Sequence, residues 1–391
     1  MTTVHSRDLG RMRVDQVGSL LRPPFLKEAF VKHEQGLLDD AALRAAQDKA
    51  IREVVAQQEN HHLPIVTDGE YRRINFMASF AEVAGYELWK SHWEPLPTPE
   101  EQALTARVEQ RQARESSGGR GRDPMHSIRQ PATQRLRLLR NRPLEEFQFI
   151  QHLTPTPVKI TLIGPDRIIQ RFASEQSQDV YAGVEQFIAD VVAIERQMIA
   201  ALVQAGCRYI QMDEPGYTAY IDEREQAEMR TRGEDPIANM ERSIQAGNEV
   251  IANFPDVTFG VHICRGNRRS YWLREGTYDA IAERLFNSLE HQRFLLEYDT
   301  ERAGGFAPLR FVPKNKCVVL GLITTKTGRL ETVDELTRRI EEATHYISIE
   351  QLALSPQCGF ASELGGNLLS EEAQWRKLDI MLETAARIWG S

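Results

Sequence analysis

Cysteine is scarce in this chain: four in 391 residues, at Cys207, Cys264, Cys317 and Cys358. So few, so far apart, do not form a disulfide framework; in a reducing compartment such cysteines point to metal binding or catalysis. Cys207 and Cys317 each sit inside an apolar run and read as small buried hydrophobes. No apolar run approaches the roughly 20 residues that cross a bilayer. The first residues, Met1-Thr2-Thr3-Val4-His5-Ser6-Arg7-Asp8, lack the apolar centre of a secretory signal. The net charge of -8 argues against nucleic acid as a general partner. These absences leave a cytoplasmic protein with small-molecule partners and no membrane contact as the expectation.

What is present is a rhythm. Short apolar runs alternate with long amphipathic stretches, the pattern of βα units on a parallel sheet. Eight candidate strands are read at 14–19, 64–68, 158–164, 208–213, 258–264, 294–299, 318–324 and 351–355. Helical periodicity fills gaps between them, at 180–205, 236–253, 278–289, 333–347 and 370–389. Eight such units predict an α/β fold of the closed (β/α)₈ TIM-barrel kind, one domain over 1–391. One stretch breaks the rhythm. Residues 87–143 carry Trp89, Trp93, several prolines, Ser116-Ser117-Gly118-Gly119 and many arginines. This reads as an insertion after strand two, either a solvated excursion or a lid or dimer-contact element. The second reading leaves room for a homo-oligomer.

In a barrel, chemistry collects at the C-terminal ends of the strands. Those ends here carry Ser19, Asp68-Gly69-Glu70, Asp213-Glu214, His262-Ile263-Cys264, Glu297, Lys326 and Cys358-Gly359. Two residues apart on a strand, His262 and Cys264 point to one face. With Cys358 from another strand end they supply the imidazole and two thiolates of a Zn2+ site with an open position. Glu297 is the candidate fourth ligand when substrate is absent; its alternative is a buried ion pair with Arg265 or Arg293. A thiol is nucleophilic as thiolate, and coordination to zinc lowers its pKa and fixes the sulfur. Two cysteine ligands therefore favour alkyl transfer to sulfur over the zinc-hydroxide chemistry of His- and carboxylate-rich sites. Glu70 and Asp213 are candidates to bind a substrate ammonium or to move a proton.

Five stretches carry a resemblance: Val17-Gly18-Ser19, Asp68-Gly69-Glu70-Tyr71, Gln211-Met212-Asp213-Glu214-Pro215, His262-Ile263-Cys264 and Pro356-Gln357-Cys358-Gly359. In this order they resemble the catalytic barrel of cobalamin-independent methionine synthase, from Val14 to the C-terminus. The resemblance implies zinc held by His262, Cys264 and Cys358, with Glu297 at the fourth place. It also implies that Ser19, Glu70 and Asp213 hold the amino-acid part of homocysteine, which is methylated to methionine. Full-length enzymes of that name have two barrels, whereas this chain has the length for one. The family's strand-seven histidine is absent from Gly321-Leu322-Ile323-Thr324-Thr325-Lys326. The chain thus looks closer to short single-barrel relatives. Two alternatives stand beside thiol methylation: epoxide opening by a small anionic thiol such as coenzyme M, with Lys326 or an arginine of the insertion meeting the anion, and a metal-free decarboxylase-type barrel.

Overall fold

The computed structural model describes residues 9–86 and 129–390. Residues 87–128 of the expected insertion lie outside them. Its described remainder, 129–143, includes the strand β2 (Arg137–Leu138), which pairs antiparallel with β1 (Val83–Ala84). The excursion thus leaves and returns at adjacent points of the frame.

A parallel sheet follows in strict sequence order: β3 (Lys159–Ile163), β4 (Tyr209–Asp213), β5 (Thr258–Ile263), β6 (Arg293–Glu297), β7 (Cys317–Ile323) and β8 (Leu352–Pro356). The two segments read as strands one and two close the ring without becoming regular strands. Val14 bridges Leu354 of β8, and Val66 bridges Val158 just before β3, both in parallel. Between those two segments, side chains stand in for the backbone ladder. Gln16 Nε2 donates to the Ile65 carbonyl at 2.9 Å, and Thr67 Oγ1 donates to the Gly18 carbonyl at 2.6 Å. Gly18, at φ +142°, turns the first segment away from extended geometry before the expected end at residue 19. Pro64 removes a ladder donor at the start of the second. The result is the expected (β/α)₈ barrel with two abbreviated staves.

Helices cover the outside: α1 (Pro24–Glu34), α2 (Asp40–Asn60), α3 (Arg142–Ile150), α4 (Pro165–Gln170), α5 (Val184–Gln204), α6 (Glu223–Thr231), α7 (Pro236–Ile251), α8 (Ala282–Ser288), α9 (Val333–Ala343) and α10 (Glu371–Trp389). Local chemistry sets their starts. Thr332 and Glu335 form a reciprocal capping box on α9, and Ser370 accepts from the Ala373 N–H on α10. No helix among the described residues is long and apolar enough to cross a membrane.

The pleat sorts each strand into two sets. Phe294, Leu296, Val318, Leu320, Leu352 and Leu354 join the main core beneath the helices. Their neighbours Leu295, Val319 and Ala353 form a separate apolar layer. The layer faces the barrel interior, where Leu295, Val319 and Ala353 stand in register on adjacent strands. Nearer the N-terminal ends lies an ionic floor: Lys159 Nζ is 2.8 Å from Asp15, Arg293 is 3.2 Å from Asp15, and Tyr209 donates to the same carboxylate. Gly260 belongs to this inward set, and a Cβ there would stand 3.1 Å from Leu295 and 3.2 Å from the Tyr209 hydroxyl. Above these layers the inward positions become Asp213, His262 and Glu297. Cys207 is buried as expected, and burial pushes its thiol up to about 12. Cys317, expected to be buried, is half-buried at the first position of β7, where its sulfur lies 3.7 Å from Arg293 Nη1.

Candidate metal centre

The last inward residue of β5 is His262, and Cys264 stands two places on, just past the strand end. Cys358 follows the end of β8 by two residues. A closed barrel brings these remote ends together: the imidazole nitrogen and the two sulfurs lie within 4.8 Å of one another, all three residues buried. Among the described residues this is the one such group of three. Neither ring nitrogen of His262 has a hydrogen-bond partner, although both are buried. A buried imidazole with both nitrogens unsatisfied is costly unless an ion completes it. One imidazole and two thiols also form the donor set that zinc takes at an open site. The residues present therefore fit the ion.

Electrostatics prepare the donors. The Cys358 thiol donates to Cys264, which holds Cys264 well below its ordinary value, and His262 acts in the same direction against burial. Cys358, as the donor, is pushed up by that bond and by burial. Burial opposes a charged His262, yet the neighbouring Cys264 thiolate draws it up.

On one side of the group stand the two acids read from sequence. Asp213 pairs with His262 across β4 and β5, and its Oδ1 accepts from Gln211 Nε2 at 2.7 Å. Burial pushes Asp213 up to about 7; Glu70 adds to the push and His262 opposes it. Glu70 occupies a left-handed conformation at φ +61°, directly after Gly69 at φ +68°. For a non-glycine residue that conformation costs roughly 1–2 kcal/mol, and such strain gathers where function dictates geometry. The turn delivers Glu70 Oε1 to Thr161 Oγ1, which donates to it at 2.7 Å. Its Oε2 is buried without a partner. Arg22 secures the turn by donating to the Glu70 and Arg73 carbonyls at 2.9 and 2.8 Å.

Ser19, Glu70, Asp213, His262, Cys264 and Cys358 line one pocket. Six of the eight site residues read from sequence therefore meet in one place. The other two do not line it. Glu297 is fully buried, its Oε2 accepting the Arg265 N–H at 2.7 Å and its Oε1 pairing with Arg302. Burial would raise Glu297, but Arg302, Lys326 and Arg265 outweigh it and hold the carboxyl at about 2. Lys326 is buried too and turns its ammonium to Asn267 Oδ1 at 3.2 Å. The structure thus realises the ion-pair alternative for Glu297, though with a different arginine from the two foreseen. Arg265 contributes its backbone N–H and, through Nη1, a bond to the Glu297 carbonyl at 3.2 Å, and Arg293 belongs to the ionic floor.

Several supporting residues escaped the sequence reading. Gln211 orients Asp213, Thr161 orients Glu70, and Asn267 Nδ2 donates to the Gly359 carbonyl at 2.7 Å beside Cys358. Gln211 lay within one of the quoted stretches and Asn267 three residues past Cys264, but nothing in the sequence says which neighbour they orient. Arg167 and Arg171, from α4 and its end, line the same pocket. Their only sequence signal is the helix start at Gly164-Pro165.

Comparison with known proteins gives a consistent picture. The family model described as the cobalamin-independent synthase catalytic domain matches residues 137–386. The uncharacterized protein YxjH of Bacillus subtilis is 35% identical over 382 residues, covering 96% of this chain and 94% of that one. A methionine synthase of Saccharolobus islandicus is 25% identical over 373 residues, with 94% and 92% coverage. Among solved structures, one from Listeria monocytogenes, named as a vitamin-B12-independent methionine synthase, superimposes with a TM-score of 0.72 at 28% identity, covering 97% of this chain and 98% of that one. A B12-independent methionine synthase from Shewanella, solved with selenomethionine, gives 0.68 at 17% identity, covering 96% and 97%, and supports the fold.

Proposed function

The chain belongs to the cobalamin-independent synthase catalytic-domain family, and from that membership we propose that it methylates the thiol of homocysteine to give methionine, with Zn2+ held by His262, Cys264 and Cys358. The coarser statement, methyl transfer of the methionine-synthase kind, follows from the family itself. The observation that carries the finer one is the juxtaposition of three buried metal-binding atoms within 4.8 Å with a pair of acids on the wall of the same pocket.

Bound there, zinc would lower the pKa of the incoming thiol and keep its sulfur a fixed thiolate. The chain's own residues do the rest. The unpartnered Glu70 Oε2 and the Asp213 carboxyl offer negative charge to a substrate ammonium. Ser19, packed against Gly359 next to Cys358, stands where the substrate carboxylate would be held. Burial of all these groups excludes water and keeps their charge interactions strong. Both His262 and Cys358 sit at the ends of rigid strands, which fixes the sulfur-binding side before substrate arrives. A reducing, cytoplasmic setting suits thiols that must stay free.

The acid pair favours an amino-acid thiol over a small anionic one. Lys326, the cation foreseen for an anionic thiol, turns to Asn267 outside the lining, and the cations that do line the pocket are Arg167, Arg171 and Arg268. A metal-free barrel would leave the orphaned His262 nitrogens unexplained. The test is direct. Purified protein is expected to carry one zinc per chain, and Cys358→Ser to lose both the zinc and methionine formation while retaining its circular-dichroism spectrum. Full zinc and full turnover in that variant would contradict the proposal.

A further inference from the structure

Alternate residues of β4 face the barrel interior and climb from its floor to its mouth: Tyr209, Gln211, Asp213. Tyr209 belongs to the ionic floor around Asp15, and Asp213 lines the pocket. Gln211 stands between them, fully buried. Its Oε1 accepts from Lys159 Nζ at 2.8 Å. Its Nε2 donates to the Val17 carbonyl and to Asp213 Oδ1, both at 2.7 Å. Lys159, the first residue of β3, is buried as well, and its other two ammonium hydrogens go to Asp15 Oδ1 at 2.8 Å and to the Gln16 carbonyl.

Donor and acceptor types leave this chain of bonds a single direction. An ammonium can only donate, so the amide oxygen of Gln211 must face Lys159. The Val17 carbonyl and the Asp213 carboxylate can only accept, so the amide nitrogen must face them. A flipped amide would set its NH2 against the ammonium and its oxygen against two acceptors, and buried polar groups left unmatched in this way are costly. We propose that Lys159 is a positioning residue for the substrate: acting through Gln211, it pins Asp213 by Oδ1 and so presents Oδ2 to the substrate ammonium. The floor of the barrel thereby aims an acid at its mouth. Ser19 does not depend on this relay. Its carbonyl accepts the Phe360 N–H at 2.9 Å, and the Gly18 carbonyl before it accepts from Thr67 Oγ1 at 2.6 Å. This inference rests on the homocysteine reading above and adds to it what orients one of the acids.

The experiment is calorimetric binding of two thiols to the zinc-loaded full chain: homocysteine, and 4-mercaptobutyrate, which is homocysteine without its amino group. Lys159→Met leaves Asp15 its Arg293 partner at 3.2 Å and frees the Gln211 amide to turn. It is expected to weaken homocysteine about tenfold, the scale of one hydrogen bond to a charged group, and to leave 4-mercaptobutyrate unchanged. Gln211→Met shows the same selective loss. Lys159→Met/Gln211→Met loses no more than Gln211→Met alone, because the lysine acts through the amide. Undiminished homocysteine binding in a folded Lys159→Met overturns the inference. So does an equal loss for both thiols, the mark of a merely structural role, and so do losses that add in the double variant. If Lys159→Met does not fold, Lys159→Gln is read instead: it can donate or accept, so it no longer dictates the direction of the Gln211 amide. A smaller loss with the same selectivity is expected there, and none overturns the idea. A wild-type preference for homocysteine that is indifferent to Lys159 sinks this inference alone, whereas a wild-type chain that takes both thiols alike, or neither, sinks the reading beneath it as well.

Discussion

Arg73 links the stability of the barrel to the geometry of its acid pair, and its replacement separates the two. The guanidinium is 1% exposed and grips a fully buried Glu146 through Nε at 3.0 Å and Nη2 at 2.5 Å. It also donates to the Thr161 hydroxyl and carbonyl, both at 2.9 Å, and that hydroxyl donates onward to Glu70. Arg73→Met removes one member of a buried pair and strands the Glu146 charge, which costs about 3–5 kcal/mol. Arg73→Met/Glu146→Leu replaces both members by apolar groups and is expected to recover most of that loss. Recovery of stability should not bring recovery of binding. Thr161 has still lost its donor and Glu70 its nearby cation, 3.6 Å away in the native chain, so KM for the thiol substrate remains raised in the double variant. Urea unfolding and steady-state kinetics on the three proteins are the assays. A single-variant cost below about 1 kcal/mol, the scale of exposed ion pairs, would refute the reasoning. So would a double variant that regains native KM.

Two further outcomes follow from the same geometry. Burial pushes Asp68 up to about 7, with Glu146 adding to the push, so the folded state holds a proton that the unfolded chain, with an ordinary value near 3.8, gives up. The stability this confers is complete below pH 4 and disappears as pH rises to about 7; the shift corresponds to on the order of 4 kcal/mol. Asp68→Asn, which imitates the protonated carboxyl, should flatten that slope in thermal melts between pH 4 and 8, and an unchanged slope would count against it. Gly359→Ala places a Cβ 1.9 Å from the Ser19 hydroxyl. That hydroxyl must rotate away, so KM for the thiol should rise by up to about tenfold, the scale of one hydrogen bond, with kcat and fold retained. An unaltered KM would remove Ser19 from the substrate site.

How much of this was readable beforehand differs from element to element. β5 was expected at 258–264 and runs Thr258–Ile263, because a strand buried on both faces is written as a mainly apolar run, here broken only by the inward His262 and the leading Thr258. Strands one and two were legible as positions but not as regular strands. Their ladder is replaced by Gln16, Thr67 and the bend at Gly18, and no periodicity announces that exchange. The candidate metal trio was legible because spacing fixes facing: two residues apart puts His262 and Cys264 on one side. What surrounds the trio was not. Glu297 chose Arg302, five residues on, over Arg293, four residues before it, and over Arg265 from the neighbouring strand end. Partner choice among buried charges is decided in three dimensions by which guanidinium is already taken. Arg293 was taken by Asp15, 278 positions earlier in the chain.

The measurement closest to the central claim is zinc X-ray absorption on the purified protein before and after homocysteine is added. Without substrate, the spectrum is expected to show two sulfur scatterers with nitrogen or oxygen completing the shell. Homocysteine should replace one light scatterer by a third sulfur, and the smaller anionic thiol coenzyme M should not. A zinc shell that keeps two sulfurs in saturating homocysteine would contradict the proposal that this pocket activates that thiol.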